Sequence, residues 1–486
     1  MRRLVLAILA GLCYTLSLPA YELWPLAWFF AVPIFFLARE VESPAEIFIY
    51  GIIAGIVAWA GTLYWIAYVM ENYGGMSLVP AAFLLLLLIS FLSLYFAVFA
   101  WGSQKLIRSR FAFLTIPGLW VLLELVRSYV PFSGFPWALA GYTQFPWKPF
   151  IQIAEFGGVY LISGIILMVN VAVYKALNRS CLPLVLSAAV LLAASVWGNY
   201  RMDTLTLEGE KLRVGIAQAN IAQEEKWLPS MVEPTIDIYS RLTGEAVNAG
   251  AELVVWPETA CNFFLFRKWP ASQRIIDLSL THDARLVVGS PAYDDGRYFN
   301  RVWLLKDGVV EDFYDKVHLV PFGEYLPLAG LIQPFFGSLT QGVGDFSRAR
   351  EASPLDGIGV LICFESIFPG MTRTLCGKGA TFLVNASNDA WFKTWSTPRQ
   401  HLIMAAFRTV ESRRWMLRSV NHGISAMVNP FGEVVSKIGL LEEGVITGEI
   451  TRTSFQSFYV RYGPVLAWIW ACASFIAALT TIRRRC

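Results

Sequence analysis

Three short segments each place a reactive polar side chain at the end of an apolar run: "LVVWPETA" with Glu258, "FYDKVHLVPFGEYLP" with Lys316 and Glu324, and "GVLICFESIFPG" with Cys363. Strand ends are where α/β folds present reactive groups. Taken singly, each has a plainer explanation. A thiol after "VLI" is most often a small buried hydrophobe, a glutamate after Trp-Pro a solvated loop residue or cap, and a lysine beside histidine a surface charge. Together, a carboxylate, an ammonium and a thiol fit nucleophilic acyl transfer. The thiolate attacks a carbonyl, the carboxylate takes the thiol proton and later returns it to a leaving group, and the ammonium stabilises the oxyanion. A lysine nearby would also favour the thiolate. His318, His401 or His422 could instead form a dyad with Cys363, but none sits in a cysteine-protease signature.

The chain that must position these groups has 486 residues, 56% hydrophobic and only 15% charged, against roughly a quarter charged in average soluble proteins. That excludes an ordinary soluble enzyme. A net charge of +3 without any Lys/Arg-rich run gives no sign of a nucleic-acid partner. Seven cysteines without a CxxC, and four histidines without an HExxH, indicate neither a zinc site nor a disulfide framework. Chemistry without metal or cofactor is expected.

A membrane helix needs roughly 20 mainly apolar residues. Such stretches fall at 4–21, 23–38, 47–70, 77–101, 111–130, 156–174, 180–200 and 462–482, which predicts a polytopic α-helical membrane domain of about eight helices. The second is short and contains Pro33, so it is tilted, broken, or one arm of a hairpin with the first. Arg2 and Arg3 before the first span resemble a signal peptide, but the spans behind it favour a retained helix. Arg39, Lys105, Arg108, Arg110, Lys175, Arg179 and Arg483 to Arg485 fall where a cytoplasmic N-terminus would put cytoplasmic segments. By the positive-inside rule both termini are then cytoplasmic, and the segment after the seventh span lies outside. Glu124 and Arg127, three apart on one span, are expected to pair or face a cavity in the membrane, with lipid handling as the functional reading, or to snorkel to the headgroups at a helix end.

Three domains are predicted: 1–200 in the membrane, 201–458 soluble, and 459–486 as a last helix with a basic tail. In 201–458, strand patterns ("LRVGIAQANI", "AELVVWPE", "ARLVVGSPAY", "RVWLLKDGVVEDFYD", "GIGVLICFE", "ATFLVNASN", "GISAMVNPFGEVVSKI") alternate with helical ones at 230–249, 270–283 and 398–414. That is an α/β domain with a largely buried sheet. The charge-free stretch 325–344, with Pro327 and Pro334, reads as a loop, either tucked into the core or forming an apolar lid toward the bilayer. Arg408, Glu411 and Arg414, spaced by three, predict a solvated or structural salt-bridge face. Asn385, Asn388 and Asp389 predict Asx-turn structure, with pocket lining as the alternative.

Glu258 in "WPE", Lys316 in "YDKVHLVPFGEY" and Cys363 in "CFES" stand in the order of the Glu-Lys-Cys triad of the nitrilase, or carbon-nitrogen hydrolase, superfamily. With "NASNDAWF" and the run from "PRQHL" to "VNHGISA", and with helices on both sides of that domain, the chain resembles the apolipoprotein N-acyltransferase family over almost its full length. The resemblance implies a nitrilase-like αββα sandwich on the periplasmic side of the bacterial inner membrane. It also implies an acyl donor that is a phospholipid, usually phosphatidylethanolamine, and an acceptor that is the α-amine of a diacylglyceryl apolipoprotein. The implied kinetics are ping-pong, through a thioester on Cys363, with Glu258 as base and then acid and Lys316 as oxyanion stabiliser. Glu324 matches a second essential glutamate, expected beside Lys316; Glu365 matches the acid two places after the nucleophile, and Trp227 of "QEEKW" a required tryptophan. Asn385 and Trp391 of "NASNDAWF" are expected to support the site or bind substrate. Phe364 replaces the tyrosine of the family's common Cys-Tyr-Glu, so a role for that hydroxyl is not expected. "GFPWALAGYTQ" at 134–144 resembles another family motif, with aromatics suited to the membrane interface. A monomer embedded in the bilayer is expected. Two other readings compete: a membrane-anchored amidase with the same triad, which would need neither the many spans nor the apolar 325–344 stretch, and a transporter with an appended binding domain, which predicts charges in several spans and inverted repeats.

Overall fold

The computed structural model describes residues 1–131, 133–267, 270–325, 346–392 and 394–483. The 325–344 stretch therefore lies, from residue 326 on, outside the described residues. Two compact units emerge, Met1–Leu205 with Tyr462–Cys486, and Thr206–Arg461.

In the first unit, long charge-free runs become helices because a backbone in lipid must satisfy its own polar groups. Among the described residues, five helices are long and apolar enough to cross a membrane: Pro44–Leu63, Leu78–Leu106, Ala112–Tyr129, Ala154–Leu177 and Leu182–Thr204. The other expected spans are shorter: Arg2–Ser17, Val32–Glu40, and a C-terminal helix apolar over Val465–Thr480. Pro33 lies in the first turn of Val32–Glu40, where its missing N–H breaks no hydrogen bond. The expected span 47–70 is divided at Tyr64, after which Trp65–Asn72 forms a separate helix. Small residues bring Pro44–Leu63 and Leu78–Leu106 together: a Cβ on Gly51 would lie 2.5 Å from Ala97 Cα, and one on Gly55 2.6 Å from Ser93 Cα.

Glu124 and Arg127 are buried, at 2% and 3% exposure, and hydrogen-bond to different partners. Glu124 Oε1 accepts from Trp120 Nε1 (2.9 Å) and the Ala140 amide (2.8 Å). Arg127 donates to the carbonyls of Phe135 (2.9 Å) and Trp137 (2.8 Å). Direct ion pairing and snorkelling are thus corrected, while both side chains line one small cavity with Trp59 and Trp120. The charges anchor the segment 135–140, whose unpaired backbone groups need partners inside the bundle. Trp137 and Tyr142 of this segment are buried.

Among the described residues the second unit holds eleven strands: β1 Glu210–Gln218, β2 Leu253–Val255, β3 Arg285–Asp294, β4 Arg297–Lys306, β5 Val309–Asp315, β6 Ile358–Ile362, β7 Phe382–Ser387, β8 Met416–Val420, β9 Ser425–Val428, β10 Val434–Ile438 and β11 Gly444–Arg452. One sheet runs β11-β1-β2-β3-β4-β5 and the other β10-β9-β8-β7-β6. In the first, the parallel trio β1-β2-β3 is flanked by antiparallel partners on both sides; in the second, the parallel trio β6-β7-β8 runs from the β6 edge and is continued antiparallel by β9 and β10. Helices Val232–Asn248 and Ala271–Thr281 bury Ile236, Tyr239, Leu242 and Ile275 with Val254, Trp256, Leu286 and Val288 in one core. The sheets meet through β1 and β8, where Ser419 Oγ donates to the Ala217 carbonyl (2.9 Å). With Pro369–Gly377 and Ser396–Ser412 outside the second sheet, the unit is a nitrilase-like αββα sandwich.

The helix Ser396–Ser412 is buried along its whole length, so Arg408 and Glu411 form no solvated face. Both are fully buried and lie 3.3 Å apart. Arg413 ends the helix at φ 55°, which turns Arg414 away to donate to the Ala380 carbonyl (2.8 Å).

Candidate active site

Glu258 follows β2 after Trp256 and Pro257, and Trp256 extends the strand by donating its amide to Val287 (2.8 Å). The corner lies directly on β3. A Cβ on Gly289 would fall 2.2 Å from the Pro257 carbonyl and 3.0 Å from Glu258 Cα, so only glycine lets the chain pass this close. Lys316 follows β5 and donates its amide to the Asn300 carbonyl of β4 (3.0 Å). Cys363 follows β6 and begins a 3-10 turn, Cys363–Ile367, with φ 50°, a left-handed conformation that costs a side-chain-bearing residue of order 1–3 kcal/mol. Its carbonyl accepts from Ser366 Oγ (2.9 Å) and lies 3.1 Å from His401 Nε2.

These ends converge. Lys316 Nζ is 3.2 Å from Glu258 Oε1 and 2.8 Å from Glu324 Oε1, at 1% exposure. Glu324 thus stands beside Lys316 as expected, and its Oε2 accepts from the Val320 amide (2.8 Å). Burial works against the Lys316 charge, but Glu258 and Glu324 outweigh it and hold the ammonium above the ordinary lysine range. Burial pushes the Cys363 thiol up; Glu258 adds to that, while Lys316 opposes it. Lys316 thus favours the thiolate against burial and the Glu258 charge, which favour the thiol.

Glu365 is fully buried. Its Oε1 accepts the Val317 (2.7 Å) and His318 (3.0 Å) amides, its Oε2 the Ile362 amide (2.8 Å), and the Tyr314 hydroxyl reaches both at 3.0 Å. It ties the nucleophile turn to the loop carrying Lys316. Burial raises it to about 7 against these donors. Glu365→Gln would turn an NH2 toward amide donors and should cost about 1–3 kcal/mol, with both kcat and melting temperature reduced.

Other expected residues divide. Asn385 lies in β7, donates to the Leu361 carbonyl (2.9 Å) and accepts from Arg418, so it braces neighbouring strands. Asn388 does bear on the site, because its amide donates to Glu258 Oε2 (3.1 Å). Asp389 accepts from Ser387 Oγ (2.9 Å) and from Arg418 (2.6 Å), and lies 3.0 Å from His401 Nδ1. His401 meets the Cys363 carbonyl rather than serving as a base, and His318 stacks on Phe368 at 4.5 Å. Phe364 packs edge-on against Phe368 (5.1 Å), a contact that needs no hydroxyl. Trp227 is 47% exposed and Trp391 partly buried. Asn300 escaped the sequence reading: its Nδ2 donates to Glu258 Oε1 (2.7 Å) and Glu324 Oε1 (3.0 Å), bridging both carboxylates. An asparagine inside an ordinary strand pattern gives no signal of that. Among the described residues no group of His, Cys, Asp and Glu is placed to hold a metal ion.

Known proteins carry the same organisation. Residues 10–172 match the apolipoprotein N-acyltransferase N-terminal domain, and residues 213–459 match carbon-nitrogen hydrolase. An apolipoprotein N-acyltransferase of Geobacter metallireducens is 38% identical over 100% of this chain and 96% of its own. Another, from Pseudomonas aeruginosa, is 31% identical over 94% of this chain and 92% of its own. Among solved structures, Nit3 of Saccharomyces cerevisiae, of the nitrilase superfamily, is 20% identical with a TM-score of 0.40, covering 50% of this chain and 91% of that one. A carbon-nitrogen hydrolase sandwich joined to apolar helices, and matched end to end by such relatives, makes this chain a membrane-associated acyltransferase of the apolipoprotein N-acyltransferase family.

Proposed function

We propose that the chain transfers a fatty acyl group from a phospholipid to the α-amine of the diacylglyceryl cysteine that begins an apolipoprotein, through a thioester on Cys363. The observation that carries this reading is the buried Lys316 ammonium shared by Glu258 and Glu324, beside a thiol held at a strained strand end. In the first half-reaction Cys363 Sγ attacks the ester carbonyl as Glu258 takes the thiol proton. The C–O bond then breaks, and Glu258 returns that proton to the lysophospholipid oxygen. In the second, the amine attacks the thioester, the C–S bond breaks, and a proton passes from nitrogen through Glu258 to sulfur. Lys316 faces the oxyanion of each tetrahedral intermediate. Phosphatidylethanolamine is the donor we favour. We place the catalytic unit on the periplasmic face of the inner membrane with both termini cytoplasmic, supported by the basic residues Arg39, Lys105, Arg108, Arg110, Lys175 and Arg179.

Purified enzyme given acyl-labelled phosphatidylethanolamine and no acceptor should retain hydroxylamine-labile label on the Cys363 peptide. Rapid turnover to free fatty acid under the same conditions would instead make the protein a hydrolase.

A further inference from the structure

A second lysine, Lys226, is buried beside the site and has no part in the chemistry above. It ends the short helical turn Gln223–Lys226, directly before the exposed Trp227, and is 1% exposed. Its Nζ donates to the carbonyl of Glu258 (3.2 Å) and to Thr259 Oγ1 (2.6 Å). Thr259 has φ 46°, a left-handed conformation that a β-branched residue holds only when its surroundings impose it. The same turn reaches Glu258 by a second route, since Gln223 Oε1 accepts from Asn388 Nδ2 (2.8 Å) and the Asn388 amide donates to Glu258 Oε2. Asn262 Nδ2 in turn holds the Lys226 carbonyl (2.6 Å).

Charge balance gives this a consequence. Glu258 and Glu324 share one ammonium, Lys316, and as Glu258 takes the thiol proton the negative charge moves from that carboxylate to the oxyanion, with the net charge of the site unchanged. Charge that relocates inside a buried site needs fixed positive charge near both positions. We propose that Lys226 is a positioning residue for Glu258, holding the strained corner that aims its carboxylate and placing a second positive charge beside the base and the nucleophile. Burial lowers Lys226 to about 8, opposed by Glu258, Cys261 and Cys363, the titratable groups that face it. This rests on the acyl-transfer reading above.

The test uses the full-length enzyme in detergent, comparing wild type with Lys226→Met, Lys226→Arg and Thr259→Val. Two quantities are read across pH: iodoacetamide alkylation of Cys363, followed on its peptide, and the rate of acyl-enzyme formation from phosphatidylethanolamine. Lys226→Met should move the alkylation profile to higher pH and slow acylation about 10- to 100-fold with KM little changed. Wild-type acylation should decline above about pH 8, and Lys226→Arg, which stays charged, should restore most of the rate without that decline. Thr259→Val keeps the charge and should lower kcat several-fold with the alkylation profile unmoved. Should Lys226→Met fail to fold, the missing alkaline decline in Lys226→Arg and the Thr259→Val rate decide the matter. Wild-type alkylation and acylation profiles in Lys226→Met, or an unchanged alkaline limb in Lys226→Arg together with full Thr259→Val activity, overturn the proposal. If wild type forms no acyl-enzyme yet the alkylation profile shifts as expected, the acyl-transfer reading fails and the placement of Lys226 stands.

Discussion

Cys363→Ala should abolish both acyl-enzyme formation and transfer to an apolipoprotein acceptor, a loss on the order of 10^3- to 10^6-fold, with little change in melting temperature. The separation of activity from stability follows from the local geometry. Alanine keeps the Cβ that cysteine already carries at φ 50°, so the backbone strain is the same in both. The Cys363 carbonyl keeps its contacts with Ser366 and His401, which involve main-chain oxygen only. What disappears is a buried thiol beside a carboxylate, an arrangement with no packing advantage over alanine. Cys376→Ala, at a fully buried position in the helix Pro369–Gly377, is the control and should leave transfer within a few-fold of wild type. Loss of transfer in both variants, or persistence of label in Cys363→Ala, would assign the acyl carrier elsewhere. The thiol, pushed up by burial and by Glu258, should alkylate slowly in wild type at neutral pH and faster as pH rises.

Much of this site is legible in the sequence because it is built from strand ends. Apolar runs that stop at a polar residue identified β2, β5 and β6 and the groups after them, and Asp307-Gly308 marked the β4-β5 hairpin, both residues adopting positive φ. Two strands were not read. β8, "MLRSV", carries Arg418, whose charge hides a fully buried central strand. Asp389 and Asn385 compensate that charge from β7 and the turn after it, contacts that no local pattern reveals. The edge strand β11, "GVITGEITR", alternates exposure with two glycines and a glutamate, a weak strand signal until β1 pairs with it over nine residues. The helical spacing of Arg408 and Glu411 gave the salt bridge they form but not its burial. Period three to four predicts which residues share a face, not whether that face meets water. In the membrane unit, apolar length located the helices, but Glu124 and Arg127 serve backbone groups of the segment after their own helix. Asn300 and Lys226 act on Glu258 across 42 and 32 positions in sequence. Only the fold brings them together.

Lys316→Met should eliminate transfer and also destabilise the catalytic unit by about 3–5 kcal/mol, because it leaves Glu258 and Glu324 facing each other without their shared cation. The pH dependence has a definite sign. In wild type the Lys316 pKa is raised on folding, so its stabilisation is fully present below the ordinary lysine value of 10.5 and does not vary over the working range. In the variant, a buried and a half-buried carboxylate face each other with one asparagine donor between them, and acid relieves their repulsion by protonating one of them. The deficit against wild type should therefore be smallest in acid and widen as pH rises. Lys316→Met with Glu324→Gln removes the repulsion and should recover part of the melting temperature, flattening its pH dependence. It should recover none of the activity, since no ammonium remains to face the oxyanion. Thermal unfolding at several pH values, beside the donor-only acylation assay, separates the two roles of Lys316. Equal melting temperatures for wild type and the single variant would show that the pair contributes nothing to the fold. Recovered transfer in the double variant would remove Lys316 from the chemistry.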